Sequence, residues 1–296
     1  MPAPARTFRA RSRAGEGHTN ILKMHGAGND FVLVDCRDGR QANWSELARQ
    51  LCDRHFGIGA DGLLLRLPSA SADARMEMWN PDGTPAEMCG NGLRCFARWV
   101  LDQDPAPRAE LHVETAAGTL HIAADGGGSL RASLGTPRLA GPEIPVLSDR
   151  DPVLDLALPG LGFAVTCVSM GNPHAIRFVD DVDAIDLGAL GPLVEHHAFF
   201  PHRANFHLCQ VLNRGALTVR HWERGAGLTL ACGTGAAATA VAARLHGLVD
   251  DEVALNVPGG QLQATWDGAG EVYLAGPADY VFAGQWPAPA MTTRKG

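Results

Sequence analysis

The chain has 296 residues, 46% of them hydrophobic and 19% charged, with a formal net charge of −7. This composition fits a globular protein of one large or two medium domains. The negative balance removes the electrostatic case for nucleic-acid binding, and no apolar run approaches the ~20 residues a membrane-spanning helix needs. The first twenty residues carry Arg6, Arg9, Arg11 and Arg13, no acid before Glu16, and no apolar stretch of the secretory kind. They read as a disordered extension, with the fold starting near Ile21. From there the chain alternates short strand-like runs with turn residues: "FVLVD", "GLLLR", "RMEMW", "ELHVET" and "TLHIAA". Within this series "GLRCFARWVL", directly after Cys89, predicts a buried helix. "GAAATAVAARLHG", directly after Cys232, predicts a second helix that stops at Gly247. The Pro/Gly-rich stretch 134–145 reads as a linker.

The chain repeats itself. Shifted by 143, Trp79 falls on Trp222, Cys89 on Cys232, Gly90 on Gly233 and Gly92 on Gly235. The same shift carries "GNDFVLVD" at Gly28 onto "GNPHAIRFVD" at Gly171, and a shift of 142 carries Gly118 and Leu120 onto Gly260 and Leu262. Three segments in one order at one spacing indicate an internal duplication, with a period too long for a solenoid. The expected fold class is therefore α+β: two pseudo-symmetric domains, each a strand-rich, barrel-like sheet with a central helix that starts at a cysteine. The expected boundaries are an extension over 1–20, a first domain over 21–133, a second over 134–278, and a tail over 289–296.

Seven cysteines, an odd number without a signal peptide, indicate reduced thiols and a cytoplasmic protein. No Cys-x-x-Cys pair or paired histidines complete a zinc set, so no metal is expected. Lysine occurs only at 23 and 295, which leaves Lys23 as the one plausible Schiff-base residue for pyridoxal phosphate; no cofactor is expected.

A thiol at a helix start sits among unpaired N–H groups and partial positive charge, which favour the thiolate, and the glycines around it let backbone amides approach an anion. Cysteine before glycine can equally be a small buried residue at a tight turn. Two such corners related by duplication argue for a shared task. If one thiolate removes a proton from a carbon beside a carboxylate and the other thiol returns one to the opposite face, that carbon inverts, and the helix starts stabilise the charge gathered on the carboxylate. The symmetry breaks where Asn80 meets Glu223 and Phe31 meets His174. Those two ionisable residues could tune the thiols or bind a substrate amine.

These residues resemble the diaminopimelate epimerase family. The likeness runs from Lys23 to about Trp286 and rests on "KMHGAGNDFVLVD", "GIGADG", "NPDG", "MCGNGLRC", "ETAAG", "GNPH" and "WERGAGLTLACGTGA". The resemblance implies a cofactor-independent isomerase that interconverts LL- and meso-2,6-diaminopimelate for lysine and cell-wall precursor synthesis. It implies Cys89 and Cys232 as the acid/base pair, with His174 and Glu223 modulating them. Asn29, Asn80, Asn172 and Asn205 would line the substrate pocket. Gly90, Asn91, Gly233 and Thr234 would hold the reacting carboxylate, and Glu223 and Arg224 would meet the substrate's charged groups. It also implies a small-molecule partner, a homodimer, and a last strand, at about 279–288, that returns to the first domain. Many members carry glutamine at Gly62, kept here as a substrate-binding candidate, and Gly-Glu-Thr where this chain has Gly227, Leu228 and Thr229. Phe282 stands where some members place a dimer-supporting tyrosine. An epimerase of another amino acid is the main alternative; a proline racemase type fits less well, because Arg224 beside Glu223 suits a second charged head. A non-catalytic binding protein would not need both thiols, and a thiol hydrolase would leave the second corner unexplained.

Overall fold

The computed structural model describes residues 18–86, 88–104, 106, 108–124 and 129–287. The expected tail over 289–296 and all but the last three residues of the expected extension lie outside them. In chain order the first half runs β1 (His18–Gly26), β2 (Asn29–Asp35), α1 (Trp44–Cys52), β3 (Gly62–Leu67), β4 (Ala74–Trp79), β5 (Pro85–Ala86), α2 (Gly90–Gln103), β6 (Glu110–Thr115), β7 (Gly118–Ala124) and β8 (Leu130–Ser133). The second half runs β9 (Leu156–Leu158), β10 (Phe163–Ser169), β11 (Pro173–Phe178), α3 (Leu187–Glu195), β12 (Asn205–Asn213), β13 (Ala216–Glu223), β14 (Gly227–Thr229), α4 (Gly233–Leu245), β15 (Glu252–Val257), β16 (Gly260–Thr265), β17 (Tyr273–Gly276) and β18 (Asp279–Pro287). The described residues form two compact units, one of residues before 125 together with 278–287 and one of residues 129–277. The α+β class and the duplicated architecture expected from the sequence are what the structure contains.

The repeat holds down to strand register. Moved by 143, α1 lands on α3 residue for residue, and its cap moves with it: Asn43 accepts from the Glu46 amide, and Asp186 accepts from the Ala189 amide. The parallel pair Phe31↔Gly62 becomes His174↔Asn205, and the antiparallel pair Leu63↔Trp79 becomes Phe206↔Trp222. The β1–β2 and β10–β11 hairpins differ. Gly26 pairs directly with Asn29 around Ala27 and Gly28, both at positive φ (51° and 83°), a primed two-residue turn. In the second unit Ser169 pairs with Pro173, so the loop is one residue longer.

In the first unit the strands run β18–β1–β2–β3–β4–β6–β7, with β5 on the other end of β4. In the second they run β9–β10–β11–β12–β13–β15–β16–β17–β8, with β14 beside β13. Each sheet wraps one helix. α2 packs on β1, β2, β3, β4 and β6, and α4 packs on β10 to β13 and β15 to β17. α4 is buried on nearly every face by alanines, as a helix enclosed by its own sheet must be. Apolar cores fill the spaces left, around Val32, Leu51 and Leu63 in the first unit and around Val165, Phe206 and Leu208 in the second.

Three expectations need correction. Strand β1 is already formed at His18, ahead of the expected start near Ile21, because His18–Asn20 pair with Gln285–Pro287. The first domain does not extend to residue 133: β8 pairs with β17, whose partner strand is β16, so it belongs to the second unit. Helices α1 and α3 were not foreseen.

Candidate active site

The first corner sits where β5 hands the chain to α2. Cys89 is the N-cap, in extended conformation (φ −140°, ψ 121°), and its carbonyl accepts from the Leu93 amide at 2.8 Å. An N-cap has no carbonyl a turn behind it, so the amides of Gly90 and Asn91 open the helix without intrahelical partners. The Cys89 thiol donates to Asn29 Oδ1 at 3.4 Å, and Asn91 Nδ2 donates to the same oxygen at 3.2 Å. Asn91 is buried, and its own oxygen accepts from the fully buried Arg94 at 2.5 Å. Asn29 is held from behind as well: its Nδ2 donates to Asp61 Oδ2 at 2.7 Å. Arg54 bridges Asp61 and Asp30, both at 2.7 Å, and Lys23 pairs with Asp30 at 2.6 Å. Burial pushes the Asp30 carboxyl up, but hydrogen bonds from Arg54 and Lys23 outweigh it and leave the group at about 2. The side chain that fixes the Cys89 thiol thus rests on a charged scaffold. Lys23, the one candidate for a Schiff base, is buried in that scaffold as an ion-pair partner.

The second corner repeats the geometry with different neighbours. Cys232 caps α4 in the same extended conformation (φ −122°, ψ 111°), and its carbonyl accepts from the Ala236 amide at 2.8 Å. Its sulfur accepts from the Gly235 amide at 3.3 Å and lies 3.7 Å from Thr234 Oγ1. The helix start was expected to favour the thiolate here. Instead the thiol is pushed well up: burial acts first and the Glu223 carboxylate adds to it, while Gly235 and Thr234 pull the other way. Full desolvation of a thiolate, with a carboxylate bonded to it, outweighs the partial charge of one helix end. Cys232 is held as a thiol. The remaining cysteines are buried; burial raises Cys36, Cys52 and Cys167 to about 12, and Cys95 and Cys209 are raised further.

The asparagines and the histidine fall into two groups. Asn29 accepts from the Cys89 thiol. Asn172 stands at the β10–β11 turn, and its Oδ1 lies 2.8 Å from His174 Nε2. His174 is buried, and its other ring nitrogen lies 2.9 Å from His207 Nε2, so both nitrogens are engaged away from the sulfur. Burial, followed by the charges of His221 and Arg224, pushes it down to about 3, so it is neutral and orients Asn172. Asn205 spends both ends of its amide locally, donating to Pro173 O at 3.0 Å and accepting from the Arg224 amide at 2.9 Å. It thereby positions Arg224, whose exposed guanidinium donates to His202 O at 2.8 Å. Asn80 heads the turn after β4, with Nδ2 donating to Thr84 Oγ1 at 3.0 Å. Gly62 is packing: a Cβ there would stand 3.2 Å from Met78 and from the Trp79 carbonyl, and 3.4 Å from Phe31. The unit that lacks a side chain at Gly62 fills the space with Phe31; the other unit places His174 and Asn205 at the same two positions.

Among the described residues no three or more His, Cys, Asp or Glu side chains gather as a metal site requires, and no helix is long and apolar enough to cross a membrane. The diaminopimelate epimerase family model matches residues 21–140 and 166–281. The chain belongs to the diaminopimelate epimerase family. It is 47% identical over 273 residues to the diaminopimelate epimerase of Desulfitobacterium hafniense, covering 89% of this chain and 96% of that one. It is 48% identical over 276 residues to that of Moorella thermoacetica, covering 90% and 99%. Among solved structures it resembles a hydroxyproline epimerase from Agrobacterium vitis with a TM-score of 0.66, 16% identity, and 92% and 93% of the two chains covered, a likeness of fold alone. Beside the family's motifs stand residues that sequence reasoning missed. Asp61, Asp30 and Arg54 carry Asn29, Arg94 carries Asn91, and Glu195 holds the loop after Glu223 by accepting from Trp222 Nε1 at 2.8 Å and from the Gly225 amide at 3.2 Å. Asp30 and Arg94 lie inside the quoted segments "GNDF" and "GNGLRC", which was the available signal.

Proposed function

We propose that this chain is a cofactor-independent isomerase that interconverts LL-2,6-diaminopimelate and meso-2,6-diaminopimelate. The observation that carries this is the pair of cysteines that cap equivalent helices in duplicated units, in a chain nearly half identical to diaminopimelate epimerases. One cysteine, as thiolate, takes the α-proton; the other, as thiol, delivers a proton to the opposite face, and the two exchange roles for the reverse reaction. The state of Cys232, protonated and bonded to Glu223, suits it to donate first. The α-carboxylate gains negative charge as the proton leaves, and the first amides of α2 and α4 offer donors aligned with the helix dipoles to stabilise it. Asn29 and Asn172 fix the substrate's polar groups, and Glu223 and Arg224 meet its charged ends. The protein acts in the cytoplasm, as a homodimer, in lysine and cell-wall precursor synthesis.

The test is incubation with LL-diaminopimelate in D₂O without added cofactor. The expected result is meso product with solvent deuterium at the inverted α-carbon. Retention of the substrate's own hydrogen in all product formed, or a requirement for pyridoxal phosphate, would overturn the two-base reading. Turnover of another amino acid but not diaminopimelate would keep the chemistry and move the substrate.

A further inference from the structure

Arg94 is the largest side chain that the described residues bury completely. A guanidinium keeps its proton inside a protein, so the first unit holds a full positive charge in its interior. The side chain lies back along α2 toward the helix start. It donates to the Gly90 carbonyl at 3.4 Å and to Asn91 Oδ1 at 2.5 Å, while its Nε finds no partner. Among the described residues no carboxylate is in ion-pair contact with it. A buried charge without a counter-charge is costly, so one is to be sought where the guanidinium points, beside Gly90 and Asn91.

Two thiols can answer it. Burial pulls the guanidinium down from its ordinary value, and charge on Cys95 or Cys89 would hold it up. Burial pushes the Cys95 thiol up despite Arg94, so it stays protonated. Cys89 is only half-buried, and a short chain of contacts joins it to Arg94. Arg94 donates to Asn91 Oδ1, Asn91 Nδ2 donates to Asn29 Oδ1, and the same Asn29 oxygen lies 3.4 Å from the Cys89 sulfur. The other charges at this end of α2 cancel: Asp30 and Asp61 stand against Lys23 and Arg54, two against two. His25, opposite Asp30 in the β1–β2 hairpin, is the remaining titratable side chain there. Arg66 on β3 faces the far end of the helix, at Trp99 and Gln103, and Arg75 and Glu77 on β4 pair with each other. On β6, Glu110 meets His121 and His112 meets Asp73. The second unit has the opposite sign. At the shift of 143, Arg94 becomes Ala237 and Asn80 becomes Glu223, the carboxylate that opposes ionisation of Cys232. One copy of the duplicated corner has a cation beside its thiol, and the other has an anion.

We propose that Arg94 is a positioning residue whose charge makes Cys89 the thiolate of the resting pair, so that the free enzyme waits with its base in the first unit and its acid in the second. This rests on the two-cysteine reading above. The test is alkylation of the full chain by iodoacetamide, without substrate, across a range of pH, with each cysteine followed by peptide mass. The Cys89 midpoint is expected to lie below that of Cys232. Arg94→Met should raise the Cys89 midpoint and slow its alkylation at neutral pH on the order of tenfold, leaving the Cys232 midpoint in place. Arg94→Lys, which restores the charge, should recover most of that rate. A second measurement needs no change at Arg94: in the unsubstituted chain the Arg94 Nε–H resonance should shift with the Cys89 midpoint, and in Cys89→Ala it should not. Four outcomes would overturn the proposal: Cys232 ionising first, an unmoved Cys89 midpoint in Arg94→Met, an equal shift in Arg94→Met and Arg94→Lys, or an Arg94 resonance indifferent to Cys89. Each can occur with deuterium exchange into diaminopimelate intact. Loss of that exchange with the order of the midpoints intact would instead move the function and keep the charge assignment.

Discussion

At the scale of single residues, the two cysteines carry the sharpest expectation. Cys89→Ala and Cys232→Ala should each lower epimerisation by ~10²–10⁴-fold or more in both directions, and the double variant should be little worse than either, because in the proposed mechanism the thiols act as a unit. Near-normal turnover by either single variant, measured from both substrates, would contradict the two-base reading. Gly235 is the next position under constraint. A Cβ there would stand 2.6 Å from His207 Cε1 and 3.1 Å from the Cys232 sulfur. Gly235→Ala should therefore cost ~1–3 kcal/mol of stability. Adding His207→Ala should recover part of that loss, a coupling that a double-mutant cycle in urea measures. Additive losses would show that the clash is relieved elsewhere. Three buried, hydrogen-bonded imidazoles also set a pH dependence. Burial holds His174 and His221 near 3 and His207 well below its ordinary value. The unfolded chain takes up these protons near pH 6.5 and the fold does not. The stability is thus complete above pH 6.5 and is lost as pH falls toward 3, at about 1.4 kcal/mol per pH unit for each ring. The urea midpoint should be clearly lower at pH 5.5 than at pH 7.5; equal midpoints would mean that these rings are not neutral in the fold.

At the scale of elements, the duplication was legible because it rests on identities that survive in place: tryptophan, cysteine and glycine at one spacing. Helix α3 was not legible. Its sequence, LGALGPLVE, holds two glycines and a proline, which local propensity reads as a loop. Packing makes it a helix. Gly191 lets α3 lie against Trp222, since a Cβ there would be 2.2 Å from the indole, and the indole N–H in turn donates to Glu195 at the end of the same helix. Gly191→Ala should then be destabilising by ~1–3 kcal/mol although alanine is the better helix former. A thermal melt that rises would reverse this account. The hydrogen-bonded row of His174, His207 and His221 was hidden for a related reason. His207 and His221 sit at alternate positions in strands that otherwise read as ordinary, and the partners lie 14 and 33 residues apart. The cysteine corners could be placed from the sequence, but not the thiol's ionisation. The relative strength of helix-end charge, burial and Glu223 depends on how deep Cys232 lies.

At the scale of the whole molecule, β8 and β18 cross the duplication's boundary in opposite senses. β8 follows the first unit's strands and pairs in the second, whereas β18 follows the second unit's strands and pairs along nearly all of β1. β8 was misplaced in the sequence reading because its partner, β17, lies more than 130 residues away. β18 leaves β1 as a bare edge if it is removed. A chain ending at residue 277 should retain the second unit's cooperative transition and lose the first unit's. Supplying residues 278–287 by a short linker after residue 124 should let the first unit fold alone. If the truncated chain melts as the full chain does, the strand is dispensable. The same crossing orders events on the ribosome. The residues before β8 are made first, yet their sheet has no partner for the outer edge of β1 until β18 is made. The second unit, one continuous segment, has all its strands made before β18. The sheet begun first is thus the sheet whose last strand is made last, and β1 stays an open edge until β18 pairs with it.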